Sequence, residues 1–330
     1  MELTYLSGAD VEALTLTDDE ILGAIRGVLG AQGRGETVIE PRTHLFPRGA
    51  TGHFNVLRGA VPALAGVKVV GDYVDNHRLG LPSELALLLL MDPATGVPQA
   101  ILDATAITEM RTGAVTAIGA EHLARRDARV LGHIGARGTA YWNVRLLCHV
   151  LPSLDEVRVH SRRPESRTDF AERLRRDLSG AVAVRAVDSW EECLRDADVM
   201  VEASRLTTPE PLLATAWVKP GAVVIPYGTV SAVALDLTDV MDKIVVDDWG
   251  QAGAGPLGAL RAHVDSGRLS EDNLHAELGQ IVCGARPGRE RDAERILFWH
   301  RGLSITDVAL GATMLAKARQ LGRGTTLPYR

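Results

Sequence analysis

Cysteine is scarce in this 330-residue chain: Cys148, Cys193 and Cys283 stand far apart, without paired spacing. They argue against a disulfide framework or a cysteine zinc site, and for a reduced, cytoplasmic protein. Aromatic residues make up only 4%, which leaves little for a base-stacking surface. Positive charge is not in surplus. Lys plus Arg is 36 against 42 Asp plus Glu, a net charge of -6, so no nucleic-acid partner is expected. The longest apolar run, Leu85 to Met91, is too short to cross a bilayer. The opening MELTYLSGAD has neither the basic nor the apolar region of a secretory signal. No repeat of roughly 20–50 residues is visible. The ten histidines form no H-E-x-x-H or other metal constellation, and His44, His53 and His77 read as isolated polar loop residues. Neither G-x-S-x-G nor G-x-x-x-x-G-K-[ST] occurs, so hydrolase and P-loop readings lack support.

What is present is ordinary globular composition, 46% hydrophobic and 24% charged, with 33 glycines that suit tight strand-to-helix turns. A chain this long usually makes about two domains. In the first third, Thr17 can cap a helix whose first turn is Asp18, Asp19 and Glu20. Ile21, Leu22, Ile25, Val28 and Leu29 then follow at helical spacing. A polar, Gly/Pro-punctuated stretch (40–54) precedes short apolar strands at 67–70, 86–91 and 100–102, and a long helix runs from Thr105 to Arg126. From about residue 128 the pattern changes. Strands at 130–134, 157–160, 181–184, 198–204, 222–228 and 243–248 are separated by helical or turn segments, including helices at 139–149 and 164–178. Such alternation means right-handed crossovers and a parallel, doubly wound sheet. The tail, Ile305 to Leu321, is helical again.

The first of those later strands runs into Gly135-Ala136-Arg137-Gly138-Thr139-Ala140 and then a helix. This is the context of a dinucleotide turn, where the N–H groups and partial positive charge of a helix N-terminus hold a pyrophosphate. Arg137 stands where a second glycine is usual; its side chain either points away or reaches over the phosphates. The alternative is a glycine turn required only by strand–helix packing. After the second strand comes Ser161-Arg162-Arg163 rather than an acid. A hydroxyl and two guanidiniums suit a 2′-phosphate and favour NADP(H) over NAD(H); the alternative is a solvated basic loop.

Three cations stand out in the first third: Arg42 in a polar stretch, Lys68 inside an apolar strand, and Arg111 in a helix of small residues. Separately, Lys68 would point to solvent or pair with a carboxylate, and Arg111 would lie on a helix surface. Together they make a carboxylate clamp, each charged hydrogen bond contributing about 1.5–3 kcal/mol. A buried lysine can also lose its proton and act as an acid/base.

Along nearly its whole length the chain resembles the ornithine cyclodeaminase/mu-crystallin family. The matching segments are Pro41-Arg42, Val67–Val70, Gly80–Ser83, Leu102–Thr105, Met110–Ala117, Val245–Asp248, His275–Val282 and Pro287–Glu290. The late block is similar to the N-(2-amino-2-carboxyethyl)glutamate dehydrogenase branch. The resemblance implies a homodimer with a Rossmann-type NAD(P)-binding domain at 121–302. It also implies a mixed α/β substrate-binding and dimerisation domain at 1–120, completed by the C-terminal helix in 303–330. It places the substrate arginine, the substrate lysine and a second arginine near both carboxylate and nicotinamide on Arg42, Lys68 and Arg111. A cofactor-contacting hydroxyl falls on Ser83, and pyrophosphate-binding positions on Gly138 and Thr139. Ser204, Gly228 and His300 complete the expected cofactor set.

Two departures from the family pattern bear on function. The cyclodeaminase aspartate falls on Gly228 and the following lysine on Ala232, within Pro226–Ala232. Cyclodeamination needs an acid/base at the amine, so a single hydride transfer is favoured. Arg301, in Phe298–Gly302, either binds a second carboxylate or is a surface arginine. The expected function is thus an NADP(H)-dependent oxidoreductase interconverting an imino acid and an amino acid, dicarboxylic ones included, with Lys68 catalytic. The alternatives are an ornithine cyclodeaminase-type lyase, with Glu84 or a loop histidine as its acid, and a non-catalytic NADP-binding protein like mu-crystallin.

Overall fold

Alternating apolar residues in the front third build a sheet. The computed structural model describes residues 1–136, 138–178, 180 and 182–330, with the main chain alone at His77. Two compact units divide it: Met1–Arg111 with Gly302–Arg330, and Thr112–Arg301.

The first unit holds β1 (Glu2–Leu6), β2 (Val38–Leu45), β3 (His53–Val61), β4 (Leu64–Asp72), β5 (Glu84–Met91), β6 (Pro98–Asp103) and, near the chain end, β15 (Thr325–Pro328). They pair in the order β15-β1-β6-β5-β4-β3-β2, all antiparallel except β1 with β6. The helices are α1 (Gly8–Ala13), α2 (Asp18–Gly33), the start of α3 (Thr105–Leu123), and α10 (Ser304–Leu321). Thr17 caps α2 in a reciprocal box with Glu20, as its sequence signature predicts. α10 packs on α2 and across β3, β4 and β5. Period two decides the inner face: Lys68, Val70, Ala86, Leu88 and Leu90 are buried. The opposite face leaves Val69, Leu85 and Leu87 39%, 43% and 55% exposed.

About half of the polar stretch at 40–54 is strand. β2 is an edge strand with a register shift between Glu40 and Thr43; its mostly exposed, polar residues conceal the alternation. His44 and His53 accordingly lie in β2 and β3, their rings 5.6 Å apart.

The second unit is a parallel sheet: β7 (Val130–Ile134), β8 (Glu156–His160), β9 (Ala183–Ala186), β10 (Val199–Glu202), β11 (Val223–Pro226), β12 (Lys243–Val246), β13 (Ala276–Glu277) and β14 (Ile296–Trp299). Their order is β13-β12-β14-β11-β10-β7-β8-β9, with a reversal between β7 and β10. Around it lie the rest of α3, α4 (Ala140–Val150), α5 (Pro164–Asp177), α6 (Trp190–Leu194), α7 (Trp249–Ala252), α8 (Arg261–Asp265) and α9 (Leu278–Val282). β14 escapes a sequence reading because a fully buried central strand shows an unbroken apolar run rather than alternation, here only ILFW after a charged stretch. The expected strand at 181–184 begins at Ala183, and Ala181 lies outside the described residues. The boundary expected near residue 120 falls at Arg111/Thr112, inside α3, where no linker composition could mark it. No helix among the described residues is long and apolar enough to cross a membrane.

Candidate active site

In the first unit, β4 carries Lys68 on the inner face, in register with Leu88. Its Nζ donates to Thr108 Oγ1 of α3 at 2.6 Å and to Asp307 Oδ1 of α10 at 2.7 Å. Arg111 Nε, one turn along α3 from Thr108, donates to the same Oδ1 at 3.1 Å. All four side chains are buried, and Asp307 Oδ2 has no hydrogen-bond partner. Desolvation brings the Lys68 amine down to about 8; Asp307 opposes that fall and Arg111 adds to it. Burial alone would raise the Asp307 carboxyl, but Lys68 and Arg111 outweigh it and hold the group below the usual range. Two cations thus share one carboxylate, and the cluster carries a surplus positive charge that an anion would balance.

Gly302 joins Arg42 to this cluster. Its carbonyl accepts from Arg42 Nη2 at 3.1 Å. Its φ is +82°, and a Cβ there would overlap the Arg111 guanidinium, so both backbone and space require glycine. Arg42, Lys68 and Arg111 are therefore linked through Asp307 and Gly302. Ser83 lies at the entry to β5, its carbonyl accepting from Tyr73 N–H at 2.8 Å. The neighbouring Glu84 helps to keep Lys68 charged.

In the second unit, Gly135 follows β7 with φ +109°, and a Cβ there would lie 2.8 Å from Ala203 O. Gly138 has φ +55°, and a Cβ would meet nothing within 4 Å. Thr139 caps α4 without a side-chain bond to the helix; its hydroxyl lies 2.8 Å from Tyr227 OH. A glycine in open space, an eleven-residue helix with an uncapped start and a reversal of strand order at this edge fit a dinucleotide's pyrophosphate. Arg137 lies outside the described residues. Ser161 donates to Arg163 O at 3.1 Å, within its own loop, and Arg162 and Arg163 are exposed.

The model of the Ornithine cyclodeaminase/mu-crystallin family matches residues 1–320. The chain belongs to this family. It is 30% identical to an alanine dehydrogenase of Archaeoglobus fulgidus, over 100% of this chain and 99% of that one. It is 28% identical to an N-((2S)-2-amino-2-carboxyethyl)-L-glutamate dehydrogenase of Staphylococcus aureus, over 99% and 98%. The solved Delta(1)-pyrroline-2-carboxylate reductase of Thermococcus litoralis, in complex with NADH and L-proline, superposes with a TM-score of 0.89 at 29% identity, covering 98% and 99%. The chain has the α/β, Rossmann-type fold that its sequence implies, and these relatives are oxidoreductases.

Against the family pattern, Gly228 is occupied by a neighbour: a Cβ there would stand 2.7 Å from Glu202 Oε2. Glu202, fully buried at the end of β10, accepts from Ser204 N at 2.7 Å through Oε1. The Ser204 hydroxyl and the Gly228 main-chain N–H lie beside the same carboxyl and favour its charged form. Desolvation lifts the Glu202 carboxyl to about 7, tempered by the nearby Ser204 and Gly228. His300 is buried, with Nε2 2.9 Å from Thr116 Oγ1. That hydroxyl also lies 3.1 Å from Thr112 O. The ring stacks on Tyr227 at 4.9 Å.

Arg301 reaches main-chain carbonyls. Its Nη1 donates to Gln251 O at 2.8 Å and to Ala254 O, and its main-chain N–H to Asp247 Oδ2. These bonds hold the chain after β12. Sequence reading also passed over Asp307 and Glu202. Each had a signal: Asp307 is the lone acid of α10, and Glu202 closes the apolar strand VMVE.

Proposed function

We propose that this protein is an NADP(H)-dependent oxidoreductase acting at a C–N centre, reducing an imino acid to an amino acid or running the reverse. The observation that carries this reading is the buried Lys68–Asp307–Arg111 cluster, whose surplus positive charge suits a substrate carboxylate. Arg42 and Arg111 grip that carboxylate and orient the C=N bond. Lys68 Nζ, with an amine near 8, holds the proton that passes to the imine nitrogen and takes it back in the reverse direction. Thr108 and Asp307 fix where that proton stands. A nicotinamide cofactor, when bound, supplies or accepts the hydride. Gly135, Gly138, Thr139 and the start of α4 hold its pyrophosphate, with Ser204, Gly228, His300 and Ser83 as further contacts. Arg162 and Arg163 meet the 2′-phosphate that selects NADP(H). Positioning two bound reactants contributes on the order of 7–11 kcal/mol at best. With Arg301 engaged on main-chain carbonyls, we assign the substrate no second carboxylate.

The protein acts as a homodimer in this reading. The exposed Val69, Leu85 and Leu87 form an apolar sheet face that a second copy would cover; Leu87→Arg should convert a dimer to a monomer in light scattering. Three free cysteines support a reducing, cytoplasmic setting.

The test is NADPH consumption with cyclic imino acids and with small 2-oxo acids plus ammonia or amines. Turnover of at least one such substrate is expected. Ammonia release from a diamino acid without net NADPH loss would replace this reading with a lyase. NADPH binding without any turnover would make the protein a binder.

A further inference from the structure

Glu202 ends β10, the strand just past the reversal between β7 and β10. In a doubly wound sheet the pyrophosphate sits at that reversal and the two halves of a dinucleotide run to either side of it. The basic loop Ser161–Arg163 follows β8, on one side. Glu202 and Gly228 follow β10 and β11, on the other. If the basic loop takes the adenosine half with its 2′-phosphate, the pyridine half belongs over the ends of β10 and β11.

The carboxyl waiting there is unusual. It is closed to solvent, and the neutral Ser204 and Gly228 groups beside it temper the cost of its burial without cancelling it. The strands packed on β10 are β7 and β11. Neither offers a positive charge: His133 Nδ1 donates to Gly135 O at 3.0 Å and burial keeps that ring neutral, while Tyr227, just past β11, turns its hydroxyl to Thr139. Asp198, at the far end of β10, pairs with Lys219. Among the described residues no cation pairs with Glu202. An ionised carboxylate in such a place is costly unless a positive charge arrives beside it. The oxidised pyridine ring carries that charge and the reduced ring does not.

We propose that Glu202 is the residue by which this site distinguishes oxidised from reduced cofactor: it holds a proton more firmly in the cofactor-free and reduced-cofactor forms and gives it up when the cationic ring binds. The inference rests on the dinucleotide reading above. Desolvation already lifts the carboxyl to about 7, so the exchange falls in the neutral range. Coupling is reciprocal: ionisation of Glu202 favours the oxidised ring as strongly as the ring favours ionisation.

Binding of NADP+ and NADPH, and in parallel NAD+ and NADH, is measured by calorimetry between about pH 6 and pH 8. Two buffers of different ionisation enthalpy give the protons released. The 2′-phosphate titrates in this range too, but alike in both redox forms, so the ratio of the two affinities removes it. That ratio is expected to shift about tenfold towards the oxidised form as pH rises, with about half a proton more released on binding oxidised than reduced cofactor near pH 7. Glu202→Gln, close in shape to the protonated acid, should bind both forms with a pH-independent ratio. A wild-type ratio flat with pH, no difference in proton release, or an unchanged slope in Glu202→Gln would overturn the inference while leaving the function reading intact. Failure of all four to bind would overturn both.

Discussion

Lys68 Nζ and Asp307 Oδ1 meet at 2.7 Å with both side chains closed to solvent, although 239 positions separate them in sequence. The pair is unequal, because Arg111 draws on the same oxygen. Removing Lys68 leaves Arg111 and Asp307 balanced, whereas removing Asp307 leaves two cations facing each other.

Lys68→Ala should therefore fold and keep NADPH affinity within about twofold, yet lose turnover by a factor on the order of 10²–10⁴, the usual contribution of a positioned proton donor. Steady-state kinetics and NADPH fluorescence titration measure the two effects. Loss of cofactor binding instead would make Lys68 structural.

Asp307→Asn removes the charge that both cations share. Breaking a buried ion pair from one side typically costs about 3–5 kcal/mol, and urea unfolding should register a loss of that order. An unchanged midpoint would mean that water or another anion already compensates the cluster.

The Lys68 amine, at about 8, sets two pH dependences. In the imine-reducing direction, kcat/KM should fall as pH rises through about 8, because the proton donor is lost. Stability runs the other way. The folded amine titrates below its unfolded value of 10.5, so between about 8 and 10.5 the unfolded chain holds more protons and stability rises with pH. A Lys68→Met variant should lack this rise, as read by thermal unfolding across that window.

Much of this was legible in the sequence. The helix box at Thr17 and Glu20, the glycine turn after β7 and the three cations all rest on local signals: a cap, a period, a charge inside an apolar run. What stayed hidden is non-local. Asp307 is recognisable as an odd acid in an apolar helix, but its partners lie on β4 and α3. Arg301 looks available in sequence because main-chain carbonyls that occupy a guanidinium leave no trace in residue identity. β2 and β14 were missed for opposite reasons: an edge strand shows too little apolar pattern and a central strand too much.

Gly302→Ala tests the link between Arg42 and Arg111. A Cβ at φ +82° is strained and would overlap the Arg111 guanidinium, which must move. Substrate KM should rise about tenfold or more, the worth of one charged hydrogen bond, while cofactor affinity stays near wild type. Equal loss of both would mean that the glycine serves general folding.

In the proposed function, Arg162 and Arg163 carry the choice of cofactor. Both are exposed, so neither is needed for packing, and their loop is already fixed by Ser161 donating to Arg163 O and by Arg167 donating to Ser161 O. Replacing both by Ser removes charge without removing the loop's own bonds. An arginine–phosphate contact contributes about 1.5–3 kcal/mol, so NADPH affinity should drop by one to two orders of magnitude while NADH affinity changes little. A proportionate loss of both would show that the arginines act on the common part of the cofactor; no change in either would return the segment to a solvated basic loop and leave the preference for NADP(H) without a structural basis.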